Sequence, residues 1–159
     1  MLHKKTIIGM ILCLVIYGCG AGASTTKMIE YRTTIGSTTL YDFENLSEKI
    51  LNRNRYFIDR IEDVGNGKFI DTKMVYKTPM DEEMLQGMKE LRYRLTLEAR
   101  RKGGGVGNMY TIRAIVNSYG KYVGREDWAN VPVNSEIKKE IRLFVAELKS
   151  EFENKIRVF

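Results

Sequence analysis

The residue types best suited to nucleophilic or metal chemistry are few in this chain and lie near its start. Its one histidine is His3, and its two cysteines are Cys13 and Cys19. The rest of the chain therefore lacks the residues for a Ser–His or Cys–His nucleophile pair. It also lacks the histidine and thiolate ligands of a zinc site. Carboxylate-pair chemistry stays possible, but the acidic residues are scattered and no spacing singles out a pair. The sequence predicts a domain that is not an enzyme and holds no metal or cofactor.

Cys19 follows a segment typical of a secretory signal. Lys4 and Lys5 precede an uncharged stretch, residues 6–18, that is shorter than the roughly 20 apolar residues of a membrane span. The tetrapeptide IYGC that ends at Cys19 resembles the lipobox of bacterial lipoproteins, in which the cysteine is lipidated and becomes the new N-terminus. Because Gly20 rather than aspartate follows the cysteine, the usual sorting rule implies the outer membrane.

Two other outcomes stay open for this segment. The tripeptide AGA at residues 21–23 is an A-x-A cleavage site that would release a soluble protein beginning at Ser24. The segment could also remain as an uncleaved N-terminal anchor. In each case the rest of the chain is expected outside the cytoplasm.

Removal of residues 1–18 lowers the net charge from +6 to +4, since the segment carries Lys4 and Lys5 and no acidic residue. A mildly basic exported domain suits anionic lipid, an anionic wall polymer or an acidic protein surface. Nucleic acid is not expected as a partner, because export separates the domain from it and no long basic helix is present.

The early part of the remaining chain reads as a tether followed by the start of a domain. Residues 19–41 are predicted as lipidated cysteine, short tether and extended segment, with a hairpin turn at residues 35–37. Residues 42–159 are predicted as one α/β domain. Asp42 is the expected N-cap of a helix that ends near residues 52–54 or runs on to Ile61. Its apolar face repeats at helical spacing through Phe43, Leu46 and Ile50.

A second helix is predicted from Thr78 to Lys102. Thr78 and Asp81 have the spacing of a capping box, and Pro79 suits the first helical position. A helical repeat follows at Met84, Met88, Leu91 and Leu95. The glycine-rich stretch at residues 103–108 is predicted as a connector and not as a phosphate-binding loop, because the Gly-Lys-Ser/Thr ending is absent.

Two strands and a final helix complete the predicted elements. Residues 68–76 alternate, with Ile70, Thr72, Met74 and Tyr76 on one face, and residues 109–117 alternate likewise. A turn is expected at residues 118–121, a further strand could begin at Tyr122, and residues 125–134 read as a loop. The last helix starts after Asn134, its predicted cap, and its apolar face comprises Ile137, Ile141, Phe144, Val145, Leu148 and Phe152.

This order of elements predicts an α/β fold. Strands separated by amphipathic helices usually form one sheet with helices packed on it. We therefore expect a small single-layer sheet of three to four strands, covered by amphipathic helices.

Residues 33 to about 102 resemble the outer-membrane lipoproteins that activate penicillin-binding proteins, the peptidoglycan synthases. The resemblance is carried by TTIG at 33–36 shortly before LYDF at 40–43, EK at 48–49, KT at 77–78, and MKELR at 88–92. It implies a non-catalytic α/β domain on a lipid anchor, facing the periplasm and docking onto a synthase.

Two alternatives to a synthase activator remain. The first is a structural or surface lipoprotein whose basic face binds an anionic wall polymer or lipid. The second is a wall-cleaving enzyme that uses a lone acidic residue, and it ranks last. For a protein partner, the expected contact residues are aromatic residues on loops, because aromatic residues are enriched among energetic anchors. These are Tyr119, Tyr122 and Trp128, although Trp128 could instead plug the edge of the core.

Overall fold

The computed structural model describes residues 29–101 and 108–156. Within these ranges the chain forms seven strands and three helices. In chain order they are β1 (Tyr31–Thr39), α1 (Leu40–Arg53), β2 (Ile58–Val64), β3 (Gly67–Thr72), β4 (Val75–Lys77), α2 (Asp81–Leu85), β5 (Met88–Arg101), β6 (Met109–Tyr122), β7 (Ala129–Val131) and α3 (Ser135–Ile156).

All seven strands belong to one antiparallel sheet. The two long strands β5 and β6 pair in its centre. β1 and β7 pair with different stretches of β6, while β3 and β4 pair with different stretches of β5, and β2 lies outside β3. The prediction of an α/β fold with three to four strands is therefore wrong. The strand content was underestimated because β5 was predicted as a helix, β2 begins where the first helix was allowed to run on to Ile61, and β7 lies in the predicted loop at residues 125–134.

β5 replaces most of the helix predicted from Thr78 to Lys102. Only the five residues of α2 are helical, and the N-cap is Met80, whose N–H donates to the Glu83 carboxylate at 2.7 Å. Gly87, with a φ of 85°, follows at the end of α2. From residue 91 to 100 the sequence LRYRLTLEAR alternates apolar and polar side chains. Its apolar set is fully buried: Leu91, Tyr93, Leu95, Leu97 and Ala99.

β6 extends further than predicted. The strand expected over residues 109–117 is confirmed, but the turn expected at residues 118–121 is wrong because β6 continues to Tyr122. Gly120 of β6 packs against the Met88 side chain of the paired strand β5. A Cβ at residue 120 would approach the Met88 Cε to 2.7 Å. A glycine read as a turn signal therefore serves close packing within a strand.

β1 is one strand and not the predicted hairpin. Its register against β6 shifts between Thr34 and Gly36, so the glycine marks a bulge. β1 belongs to the same sheet as the rest, although the sequence placed it in the segment before residue 42. α1 then begins at Leu40 with Thr39 as its N-cap, not Asp42. The Asp42 N–H donates to Thr39 Oγ1 at 3.1 Å, and the Thr39 hydroxyl donates to Asp42 Oδ2 at 2.8 Å.

The strand predicted over residues 68–76 is split into β3 and β4. The break changes which side chains face the core, because Val75 pairs with core residue Tyr93 and Tyr76 pairs with Arg92. Tyr76 consequently lies on the opposite face from Ile70 and Thr72, with which it was grouped.

Helices α1 and α3 cover one face of the sheet. The last helix is as predicted, with Asn134 Oδ1 accepting the Ile137 N–H at 2.9 Å. Its apolar face joins that of α1 and the inward side chains of β5 and β6 in one hydrophobic core. The helix contributes Ile137, Ile141, Phe144, Leu148 and Phe152 as buried residues, with Val145 partly buried.

Candidate functional site

The sheet face opposite α1 and α3 carries alternate side chains of the central strands. We call it the open face. On β5 it consists of Arg92, Arg94, Thr96, Glu98 and Arg100, and on β6 of Thr111, Arg113, Ile115, Asn117 and Tyr119. Neither long helix covers it, so a partner could reach this face without displacing the helical layer.

Four residues form a stacked cluster at one end of the open face. β4, β5 and β6 place Tyr76, Arg92 and Tyr119 side by side, and Trp128 lies two residues before Asn130, the β7 residue that pairs with Tyr119. The Arg92 guanidinium carbon lies 3.9 Å from the centroid of the Trp128 ring and 5.8 Å from that of Tyr119. The Tyr76 and Trp128 rings meet edge to face at 6.2 Å. We refer to these four residues as the Arg92 cluster.

The stacking fixes the plane of the Arg92 guanidinium. Cation–π attraction holds a guanidinium over a ring face, and its N–H donors point outward around the rim. In the part of the chain that the structure describes, Arg92 Nε is buried without a hydrogen-bond partner. The arrangement suits recognition of a carboxylate by an oriented arginine flanked by aromatic rings.

The structure brings together two of the three predicted contact residues. Tyr119 and Trp128 both lie beside Arg92. Tyr122 does not join them, because it lies opposite Met88 and packs against the core. Trp128 is half-buried on the open face, and it is absent from the core cluster of the described residues. Cys19, His3 and Cys13 lie outside the described residues, as does the connector up to residue 107.

Sequence reasoning missed Arg92 and Tyr76. The alternation of β5 would have placed Arg92 on a polar face, and this signal was available in the sequence. Tyr76 could not have been found in that way, because its position next to Arg92 depends on the pairing of β4 with β5.

Three other arginines on this face, Arg60, Arg94 and Arg100, are paired with carboxylates. Arg60 Nε lies 2.8 Å from Asp71 Oδ2, and an Arg60 terminal nitrogen lies 2.9 Å from Glu62. The hydrogen bond to Asp71 raises the pKa of the Arg60 guanidinium, so this residue stays charged. The Thr96 hydroxyl donates to the second Asp71 oxygen at 2.6 Å. On this part of the open face, the polar side chains of β2, β3 and β5 therefore bind one another in one network.

Two further ion pairs involve arginines of β5. Arg94 lies 3.7 Å from Asp59, and Arg100 Nε donates to Glu98 Oε1 at 2.5 Å. Glu98 is only 2% exposed, so Arg100 is held by a buried carboxylate. The open face is therefore rich in arginine but mixed in charge.

A separate polar network lies at the edge of the core. Tyr56 and Tyr93 hydroxyls lie 3.0 Å apart, and both approach Glu140 Oε1, at 3.0 and 2.9 Å. Lys77 Nζ contacts the other Glu140 oxygen at 2.7 Å. Three contacts share two hydroxyl protons, so at any moment one tyrosine donates to Glu140 while the other donates to Glu140 or to its neighbour.

Burial is the main cause that raises the pKa of Tyr56, and it also raises that of Tyr93, where the bond from Tyr56 adds to it. For Glu140, burial acts to raise the pKa, but the bonds from Lys77, Tyr93 and Tyr56 outweigh it and the pKa is lowered. The network keeps neutral tyrosines and an ionised glutamate at neutral pH. We interpret it as a structural link between α3 and the sheet.

Residues 29–101 and 108–156 contain no group of three or more histidine, cysteine or acidic side chains that could hold a metal ion. None of the helices within these ranges is long and apolar enough to cross a membrane. Neither the protein-family models nor the curated proteins include a match to this chain.

Proposed function

We propose that this protein is a non-catalytic envelope lipoprotein that docks onto a protein partner through its open face. The partner that we propose is a peptidoglycan synthase of the penicillin-binding class, whose activity the contact would raise. The Arg92 cluster is the observation that carries the proposal. Tryptophan, tyrosine and arginine are the residue types most enriched among energetic anchors of protein interfaces, and here three such types meet in one stacked group.

The charge pattern favours a protein partner over an anionic polymer. Polymer binding needs a run of uncompensated cations, whereas Arg60, Arg94 and Arg100 each have a carboxylate partner. A face with charges of both signs, aromatic rings and buried arginine stems resembles a specific interface more closely than an electrostatic track. The net charge of +4 after loss of residues 1–18 keeps the polymer or lipid alternative as a second candidate.

A lipid anchor at Cys19 would set the distance over which docking can occur. The ten residue steps from Cys19 to Ile29, the first described residue, span at most roughly 36 Å when extended. We therefore propose that the domain meets the part of its partner that lies close to the membrane carrying the anchor.

Stimulation of a penicillin-binding synthase from the same organism tests this function. The purified full-length chain should raise the rate of glycan polymerisation to a saturable maximum. The double change Arg92→Ala and Trp128→Ala should remove most of this effect, because truncation of a hot spot costs about 2 kcal/mol or more, roughly 30-fold in Kd. The rate of polymerisation is measured against concentration of added chain.

Tyr41→Ala is the matched control, since Tyr41 is a 74% exposed aromatic residue on α1, in the helical layer. It should stimulate like the parent. Full stimulation by the Arg92/Trp128 variant would contradict docking at this cluster. Binding to wall polymer that fades steeply with salt, together with synthases that do not respond, would favour the second candidate.

A further inference from the structure

A cavity of about 380 Å³ lies at the other end of the open face from the Arg92 cluster. Arg92 and Arg100 are eight residues apart on β5, which separates the two places by about 26 Å. The cavity is lined by residues of the β2–β3 hairpin and of the end of β5: Val64, Asn66, Gly67, Phe69, Arg100 and Arg101.

Gly67 lines the cavity at a point where β3 and β5 approach each other closely. The register places Val64, Gly67 and Arg100 side by side across β2, β3 and β5. Residue 67 can carry no side chain, because a Cβ there would lie 2.1 Å from the backbone oxygen of Ala99. The hairpin is tied down at this point, since the Arg101 N–H donates to the Asn66 carbonyl at 3.0 Å. Gly67 thus permits the close approach of β3 to β5, and Val64, Phe69 and Arg100 bound the gap beside it.

The lining has apolar walls and an oriented cation. Val64 is 49% exposed, and the Phe69 ring is half-buried. The Arg100 guanidinium is held through Nε by Glu98, whose own burial fixes its position. A guanidinium bound in this way keeps its terminal N–H donors for a second acceptor.

We propose that this cavity binds a residue-sized apolar group that carries a carboxylate. The apolar part lies over Gly67 between Val64 and Phe69, and the carboxylate accepts hydrogen bonds from the terminal nitrogens of Arg100. One planar guanidinium matches one planar carboxylate, and the cavity volume is at the small end of the range for ligand sites. The C-terminal residue of a peptide and a short free carboxylic acid both have this chemistry. The site does not depend on docking of a synthase at the Arg92 cluster.

Titration of the ¹⁵N-labelled full-length chain with N-acetyl-leucine tests the site. The backbone amide resonances of Asn66 and Gly67 should shift and saturate. N-acetyl-leucinamide, which has the same apolar group and no charge, should bind at least about tenfold more weakly because the charged hydrogen bonds are lost. Equal binding of acid and amide, or no saturable shift at Gly67, would overturn the proposal.

Two variants remove the site in different ways. Val64→Trp fills the cavity from an exposed position, and Arg100→Gln removes the cation; each should weaken binding at least about fivefold. The matched controls are Val123→Trp and Arg125→Gln, the same changes at exposed residues away from the cavity, and they should bind like the parent. Because Arg100→Gln also leaves Glu98 without its partner, Val64→Trp is the decisive variant. Unchanged binding in Val64→Trp would place the ligand elsewhere and overturn the assignment.

The source of the carboxylate is distinguished by two further ligands. A peptide terminus is supported if the tetrapeptide Ala-Ala-Ala-Leu with a free C-terminus binds more tightly than N-acetyl-leucine and the tetrapeptide amide does not. Tighter binding of octanoate than of N-acetyl-leucine supports a free aliphatic acid.

Discussion

Arg92 and Trp128 come from separate parts of the chain and stack with 3.9 Å between the guanidinium carbon and the ring centroid. β5 presents Arg92, while the segment leading into β7 presents Trp128, and β6 lies between the two strands. The contact therefore depends on correct pairing of β7 with β6. It also makes the only tryptophan of the chain a probe of the open face.

We expect Arg92→Ala to expose the Trp128 ring. The variant should show stronger quenching of tryptophan fluorescence by acrylamide than the parent. A cation–π contact at a half-exposed site is worth about 0.5–1 kcal/mol, so the free energy of unfolding should fall by a similar amount. Arg125→Ala removes an exposed arginine from the loop between β6 and β7, and it should change neither the quenching nor the free energy of unfolding. Unchanged quenching in Arg92→Ala would mean that the guanidinium does not cover the ring.

The core makes a sharper prediction about stability. Leu91 on β5 and Phe144 on α3 are each 2% exposed and belong to one cluster. Truncation to alanine should lower the free energy of unfolding by about 2–5 kcal/mol, because it removes buried apolar surface and leaves a cavity. Denaturant melts would measure the loss.

Neighbouring leucines supply the controls. Leu143 precedes Phe144 but is 68% exposed, and Leu85 is 89% exposed on α2. Alanine at either should change stability by no more than about 0.5 kcal/mol. Equal losses at Leu143 and Phe144 would contradict the orientation of α3.

The sequence predicted α3 well because one period fits its apolar residues. Ile137, Ile141, Phe144 and Leu148 match a helix and no strand, and Asn134 marks the start. Residues 84–101 were harder because two periods compete. Met84, Met88, Leu91 and Leu95 fit a helical face, yet Tyr93 and Leu97 would then be exposed. The alternation of residues 91–100 includes every large apolar residue of that stretch, and the structure follows it.

The candidate site could be predicted only in part for a related reason. Residue type identified Tyr119 and Trp128, although Tyr119 lies in β6 and not in the predicted turn. Which residues share a face depends on strand pairing. The break between β3 and β4 moves Tyr76 to the open face, and the continuation of β6 separates Tyr119 from Tyr122. Long-range register of this kind is not encoded in any local pattern.

The proposed lipid anchor gives a prediction that does not rest on the fold. If Cys19 is lipidated, Cys19→Ser should abolish labelling by a radioactive or clickable fatty acid and leave an unprocessed precursor, because the thiol is the acceptor. Cys13→Ser, which changes the other cysteine, should label like the parent. Labelling that persists in Cys19→Ser would contradict the lipoprotein proposal. Fractionation of the parent with the inner membrane would contradict the proposed outer-membrane location.

The network of Tyr56, Tyr93 and Glu140 should make stability depend on pH at both ends of the scale. The pKa of Glu140 is lowered from 4.5 in the fold, so its contribution is present above that value and is lost as the pH falls through the folded pKa. The pKa of each tyrosine is raised from 10.0, so its contribution is present below pH 10 and is lost as the pH rises further.

Glu140→Gln should flatten the acid side of the curve of unfolding free energy against pH, since glutamine does not titrate. Tyr93→Phe removes a buried hydroxyl that donates to a carboxylate, so it should cost about 1.5–3 kcal/mol at neutral pH and reduce the alkaline loss. Urea melts between pH 3 and 11 would measure both effects. Glu136→Gln, at an exposed acidic residue in the first turn of the same helix, is the control and should keep the slopes of the parent. An acid slope that survives Glu140→Gln unchanged would mean that this carboxylate is not the one whose ionisation links α3 to the sheet.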